Sequence, residues 1–303
     1  MKCRNPYLLN GMAFGCGQCM PCRVAKRRVW THRIMLETAM HSDNTFVTLT
    51  YSDENMPRLE DGRGILVPKH MQDWLKRIRK AYSDATQGRK LRFYGVGEYG
   101  DNSWRPHFHL ALFNFPNCRY GQSRYFSGVQ NCCFACDMVR DTWSFGNVML
   151  AELNVNTSQY VCGYVTKKMT AKDDVRLKGL PPEFARMSLR PGIGADAMHD
   201  VASTLLQFDL VEGGADVPSA LRHGKRLLPL GNYLTRKLRT YVGKDEKAPE
   251  SVLQSVKKEL QPLRDAAFEN SRSLKKEIVQ AADQAVLNME ARQEIFRQRK
   301  DKL

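Results

Sequence analysis

The stretch "WRPHFHLALFNF", residues 104–115, decides how this chain is read. Its apolar residues describe a buried β-strand, yet it carries two histidines one residue apart. Side chains alternate along a strand, so His107 and His109 share one face while Phe108 and Leu110 share the other. Just upstream, "LRFYGVGEYG" (91–100) reads as a second strand, joined through the turn-rich "YGDNSWR" into a β-hairpin. If residue 98 faces 107, then 96 faces 109 and Glu98 joins the histidines' face; a one-residue slip turns it away. Two imidazoles and a carboxylate suit a divalent cation with open coordination positions, Mg²⁺ or Mn²⁺ holding phosphate oxygens and water. Asp101, Asp53 or Glu54 are alternative oxygen donors. An isolated His-x-His is more often a polar pair on a solvated strand, so the neighbours must carry the argument. A histidine-triad hydrolase would need a third histidine where Ala111 stands, and a binuclear zinc hydrolase an acid soon after the pair.

Outward from the hairpin, "TFVTLTY" (45–51) is a β-branched strand running into a polar loop. After Pro68, Met71, Trp74, Leu75 and Ile78 stand at helical spacing with cations opposite, which predicts an amphipathic helix. Residues 116–144 interrupt the pattern with four cysteines and read as an insertion before a strand at 146–154. The next segment has capping residues at Asn156 or Thr157 and continues helically to about residue 170. It sets Tyr160, Tyr164 and Lys168 at i, i+4 and i+8, on one helix face. The ordinary interpretation of such spacing is a core stripe with a snorkelling lysine. "LPPEFARMSLRPGIGAD" is rich in proline and glycine and shows no role of its own. From about residue 245 the chain is charged and helical, with Leu253, Val256, Leu260 and Leu263, then Ile278, Ala282 and Val286, three or four apart.

The division predicted is a basic, Cys-rich segment with a helix at 1–44 and a catalytic core at 45–170 carrying the 116–144 insertion. A Pro/Gly-rich basic extension at 171–243 and a helical tail at 244–303 complete it. The 303 residues, 42% of them hydrophobic, can build a sizeable core. There is no 18-residue apolar run and no apolar stretch of secretory type at the amino terminus, so a reducing interior is expected, without a membrane partner. Eight of nine cysteines form two groups, Cys3, Cys16, Cys19, Cys22 and Cys118, Cys132, Cys133, Cys136, with Cys162 apart. Four thiolates suit structural Zn²⁺, although adjacent cysteines such as 132 and 133 seldom both ligate one ion comfortably.

The net charge of +15 is concentrated: residues 1–36 hold seven Lys/Arg and no acid, and 217–241 hold six and none. Such patches favour a polyanion, through counterion release and long-range attraction. Arg23, Lys26, Arg27, Arg28, Arg105 and Lys167 are the cations expected to meet DNA. The elements combine into one reaction. A bound cation would polarise a phosphodiester, and a tyrosine, a poor nucleophile at its usual pKa of about 10, would be helped by that cation and by a nearby lysine.

"FVTLTYSDENMP", "GEYGDNSWRPHFHLALF", "YVCGYVTKK", "MSLRPGIG" and "CGQCMPCR", spread over about residues 1–195, together resemble the HUH endonucleases that start rolling-circle replication. The resemblance is to their two-tyrosine class, and within it to the replication initiators of gokushovirus-type microviruses, small phages with circular single-stranded DNA. It implies an α+β fold, a central antiparallel sheet with helices packed on one face. It implies His107, His109 and Glu98 as ligands of Mg²⁺ or Mn²⁺, Tyr160 and Tyr164 as alternating nucleophiles, and Lys168 as their cationic helper. The implied enzyme nicks single-stranded or supercoiled viral origin DNA in the cytoplasm of a bacterial host, through a 5′-phosphotyrosine, and later recircularises the genome. The chain has no G-x-x-x-x-G-K-[ST] loop, so a host helicase and DNA polymerase are expected partners. A conjugative relaxase or HUH transposase would share the chemistry; a zinc-containing DNA-binding protein would lack it.

Overall fold

The computed structural model describes residues 2–100, 103–123, 132–163, 175–211 and 216–300, with the backbone alone at 293 and 296–300. The chain forms two compact units, Trp30–Val201 and a second made of Met1–Val29 with Ala202–Leu303. These limits differ from the sequence-based division at 44/45, 170/171 and 243/244. The hairpin β1 (Tyr7–Leu9) and β2 (Met12–Phe14) opens the chain, and α1 (Met20–Ala39) then runs unbroken through the 29/30 limit.

Within Trp30–Val201 come β3 (Asn44–Thr50), α2 (Pro68–Ala85), β4 (Arg92–Tyr99), β5 (Pro106–Phe113), α3 (Phe134–Trp143), β6 (Val148–Glu152), α4 (Val155–Gly163) and β7 (Phe184–Met187). The five strands form one antiparallel sheet in the order β6-β3-β5-β4-β7, and Gln122 of the insertion bridges Ala151 on β6. The α+β class is therefore as expected, and "LPPEFARM" acquires a role as the edge strand β7.

On one face, Phe108, Leu110 and Leu112 of β5 are fully buried beneath α2 and α3. The amphipathic pattern of α2 is realised: Met71, Trp74, Leu75, Ile78 and Tyr82 are its buried residues, and Pro68 opens it where a missing N–H costs nothing. Gly97 of β4 lies on this face, where a Cβ would stand 2.5 Å from the Phe184 ring, so only glycine admits that close approach. The opposite face is also covered. Ile34 of α1, Val161 and Cys162 of α4, and Ile193 pack over Phe46, Tyr94, Val96, Ala111 and Phe113. Helices thus flank both faces, because the apolar period-two pattern of β3, β4 and β5 resumes beyond the histidines as Ala111 and Phe113.

"MSLRPGIG" packs against α1. The Gly194 N–H donates to Glu37 Oε2 at 2.7 Å, and at φ +77° with the Arg33 carbonyl 2.9 Å from a would-be Cβ the position requires glycine.

The other unit adds, in chain order, α5 (Ala197–Gln207, which crosses the 201/202 limit), the hairpin β8 (Ala220–His223) and β9 (Arg226–Pro229), and α6 (Gly231–Tyr241). The helical tail is present as α7 (Glu250–Glu259), α8 (Gln261–Glu269) and α9 (Leu274–Lys300). The apolar spacing noted in the tail is used in part: Ile278, Ala282 and Val286 are buried while Leu253, Val256, Leu260 and Leu263 are half-buried, and Arg4 clamps α9 through Asp283 and Glu290, each at 2.7 Å.

Candidate active site

The β4–β5 register pairs Glu98 with His107 and Val96 with His109, which turns the carboxylate and both imidazoles to one face. Glu98 Oε1 lies 2.7 Å from His107 Nε2 and 3.3 Å from His109 Nε2, and one ligand atom from each residue lies within 4.8 Å of the others. Glu98 is 2% exposed and His109 5%. Such burial of a carboxylate is costly unless positive charge faces it. The second nitrogens are also engaged. His107 Nδ1 donates to the Arg105 carbonyl at 3.0 Å, and His109 Nδ1 meets Thr48 Oγ1 at 2.9 Å. A carbonyl can only accept, so the His107 proton sits on Nδ1. Nε2 then faces the carboxylate either with a second proton or as a lone pair across a shared cation. Two nitrogens and one oxygen, oriented by outer hydrogen bonds, fit a divalent metal.

Of the alternative oxygen donors, Asp53 is 79% exposed and held by Arg105 at 2.6 Å, which keeps its carboxyl below the usual range. Glu54 is exposed on the loop, and Asp101 lies outside the described residues. Glu98 is the acid that the fold gathers with the histidines.

Tyr160 comes to the same face on α4. Its ring stands edge-on to His109, centroids 5.1 Å apart, and edge-on to Phe46 at 6.0 Å, while 39% of the residue is exposed. The helix is capped by Asn154, two residues before Asn156 and three before Thr157, the caps expected. Asn154 Oδ1 accepts from the Asn156 and Thr157 N–H groups at 2.9 and 3.1 Å, and Thr157 Oγ1 accepts from the Asn154 N–H at 2.8 Å. Tyr164, Lys167 and Lys168 lie outside the described residues.

Among the other expected DNA-binding residues, Lys26 and Arg28 are exposed on α1, where Arg28 donates to the Leu227 carbonyl at 2.9 Å; Arg23 and Arg27 are half-buried. Arg105 is engaged with Asp53 and with the Tyr51 carbonyl. Thr48, the partner of His109, was not singled out in the sequence; its signal is the period of two that puts it beside His109 once β3 pairs with β5.

Both cysteine groups are assembled, each with its four sulfurs within 4.8 Å of one another, and all nine thiols are free. In the first, the Cys3 sulfur accepts from the Cys16 N–H at 3.3 Å and Cys16 from the Cys19 N–H at 3.3 Å. Burial works to raise the Cys16 thiol, but these backbone and thiol contacts outweigh it and bring it down to about 6, whereas burial pushes Cys22 up to about 12. In the second, Cys132 and Cys133 both join despite being adjacent: Cys133 is the extended N-cap of α3, and the first turn brings Cys136 back beside it.

Residues 44–169 match the family of the replication-associated protein ORF2. The segment holds the whole Glu98–His107–His109 cluster and Tyr160. Among curated relatives, the chain is 32% identical over 169 residues to "Replication-associated protein VP4" of Bdellovibrio phage phiMH2K, covering 55% of this chain and 52% of that protein. It is 32% identical over 197 residues to "Replication-associated protein ORF2" of Spiroplasma virus 4, covering 62% and 57%. To "Replication-associated protein ORF4" of Chlamydia phage 1 it is 28% identical over 163 residues, covering 53% and 39%. The chain thus spans about half the length of the curated relatives it matches. These matches make the chain similar to replication-associated proteins of phages. No solved structure matches. Among the described residues, no helix is long and apolar enough to cross a membrane.

Proposed function

We propose that the chain is a replication initiator that nicks single-stranded origin DNA and later rejoins it, acting in the cytoplasm of a bacterial host on phage DNA. The observation that carries this reading is the Tyr160 ring against His109, within a buried Glu98–His107–His109 cluster. In it, Glu98, His107 and His109 hold Mg²⁺ or Mn²⁺, which supplies polarisation of the scissile phosphate. Tyr160 and Tyr164 are the nucleophiles. The attacking phenol oxygen forms a bond to phosphorus, the bond to the 3′-oxygen breaks, and a 5′-phosphotyrosine and a free 3′-hydroxyl result. Lys168 favours the phenolate by placing a cation beside it. The new ester retains the energy of the bond broken, so attack by a 3′-hydroxyl on the phosphotyrosine reseals the strand without ATP. With two tyrosines, one can hold the first 5′ end while the other cuts the regenerated origin.

The core of this activity is assigned to residues 45–170, with basic flanking segments tracking the strand and a host helicase and polymerase extending the 3′ end. The two four-cysteine clusters take structural Zn²⁺. The N–H···S bonds of the first cluster and the lowered Cys16 thiol suit thiolate ligation there, and burial of the second cluster in the core suits a structural ion.

The test is a denaturation-resistant protein–DNA adduct on origin DNA, with Mn²⁺ or EDTA, for wild type, Tyr160→Phe, Tyr164→Phe and the double variant. A metal-dependent adduct lost only in the double variant supports the two-nucleophile reading. No adduct on cleavable origin despite tight binding leaves a zinc-containing DNA-binding protein in its place.

A further inference from the structure

Beside the metal cluster, the Trp30–Val201 unit contains a recess of about 420 Å³ that the chemistry above does not use. It is walled by the loop after β3 (Met56 to Gly64), the β4–β5 turn (Ser103 to Arg105) and the segment from Arg176 to Leu180. Arg105 joins it to the metal cluster, because the carbonyl of that recess-lining residue accepts the His107 Nδ1 proton.

Two features of the wall point to one kind of ligand. The first is Trp104. Trp74 and Trp143 are fully buried, whereas Trp104 is 40% exposed at the turn. Its backbone is left-handed, φ +52°, a conformation that bulky side chains rarely adopt and that marks stored strain. The turn is held by the Trp104 N–H to the Gly100 carbonyl and the Gly100 N–H to the Arg105 carbonyl, both 3.0 Å. The indole leans on the Tyr99 ring, centroids 6.0 Å apart, and Tyr99 is itself buried and donates to the Pro181 carbonyl at 3.0 Å. The indole is therefore a partly exposed aromatic surface on a fixed backing. The second feature is charge. Among the described residues, Arg58, Arg63, Arg105 and Lys178 line the recess and outnumber the carboxylates of Asp53 and Asp61, which pair with the first three. An exposed aromatic plane among surplus cations is the signature of a single-strand nucleic-acid site, in which a base stacks and phosphates meet arginines. A recess of this size has room for an unstacked base.

We propose that this recess binds one unpaired nucleotide of single-stranded DNA, its base stacked on Trp104, and so positions the strand at the neighbouring metal cluster. The identity of the strand as DNA rests on the proposed nicking function. The experiment titrates the protein as purified, in buffer without Mg²⁺ or Mn²⁺, with an origin oligonucleotide and with a set of the same oligonucleotides carrying one abasic position each. Wild type, Trp104→Phe and Trp104→Ala are compared, with thermal unfolding of each as a check on the fold. Wild type should lose affinity at one abasic position. Trp104→Ala should bind the intact strand about 5- to 100-fold more weakly and lose the penalty at that position, while Trp104→Phe keeps most of both. Indole fluorescence quenched by the strand should fall sharply in Trp104→Phe. Unchanged affinity and an unchanged abasic profile in both variants would overturn the proposal, as would a free deoxynucleotide competing as tightly as the oligonucleotide. The adduct assay on wild type separates the two readings. An adduct without Trp104 coupling removes the recess and leaves nicking; coupling without an adduct removes nicking and leaves a single-strand binding site.

Discussion

The two faces of the central sheet use the same strand for opposite purposes. On β5, Phe108, Leu110 and Leu112 face α2 and α3 in a dry core, while His107 and His109 face Glu98, Thr48 and Tyr160. One face contributes burial of apolar surface and the other holds charge where water is scarce. A period of two lets adjacent residues serve these ends with little interference, since a change on one face leaves the other's side chains in place.

That independence can be broken or sharpened by experiment. The largest effect is expected on the dry face: Trp74 is fully buried, with Nε1 donating to Thr142 Oγ1 at 3.1 Å. Trp74→Ala should cost about 3–5 kcal/mol of stability in urea unfolding while leaving Mn²⁺ affinity of the folded protein unchanged; a parallel loss of metal affinity would mean that the faces are coupled. On the polar face, His109→Ala should slow adduct formation by about 10²–10³-fold, the size of one lost electrostatic stabiliser. Glu98→Gln keeps the shape and removes the charge. It should weaken Mn²⁺ binding in calorimetry without lowering metal-free stability, because a buried carboxylate and its desolvation are removed together; marked destabilisation would show that the carboxylate holds the hairpin by itself. The smallest effect is expected at Thr48→Val, which removes the partner of His109 Nδ1 and should cost about tenfold in metal affinity. Away from the sheet, Cys136→Ser should lower bound zinc by one ion per chain, read by elemental analysis, with the Cys3–Cys16–Cys19–Cys22 cluster still loaded.

The hairpin and α2 were legible because their signals are local: alternation, a short turn, and a 3.6-residue period behind Pro68. Glu98 could be placed only on condition of a register opposite His107, with Asp101, Asp53 and Glu54 open as oxygen donors until the pairing of β4 with β5 was known. The role of 184–195 was not legible, because Phe184 and Gly194 matter through Gly97 and α1, partners about 90 and 160 residues away in sequence. The recess escaped notice for the same reason, being closed by three separate segments and by a tryptophan in a conformation that its residue type does not suggest. That Cys132 and Cys133 both come within reach of Cys118 and Cys136 was not legible from their spacing, because it depends on the helix that begins directly after them.

The sheet order also sets where the gene can change length. β5 and β6 are consecutive among the described strands yet pair on opposite sides of β3, so the segment between them lies outside either ladder's register, and a codon gained or lost there leaves Glu98, His107 and His109 aligned unless it falls in α3 or among the four cysteines. Between Glu98 and His107 the chain has no such latitude: a single codon inserted within either strand on the ligand side of the turn would rotate one partner to the dry face. Within 116–144, length changes that miss α3 and the four cysteines should therefore be tolerated better than those within 96–109, an asymmetry that a library of random single-codon insertions, screened for metal-dependent adduct formation, would map directly.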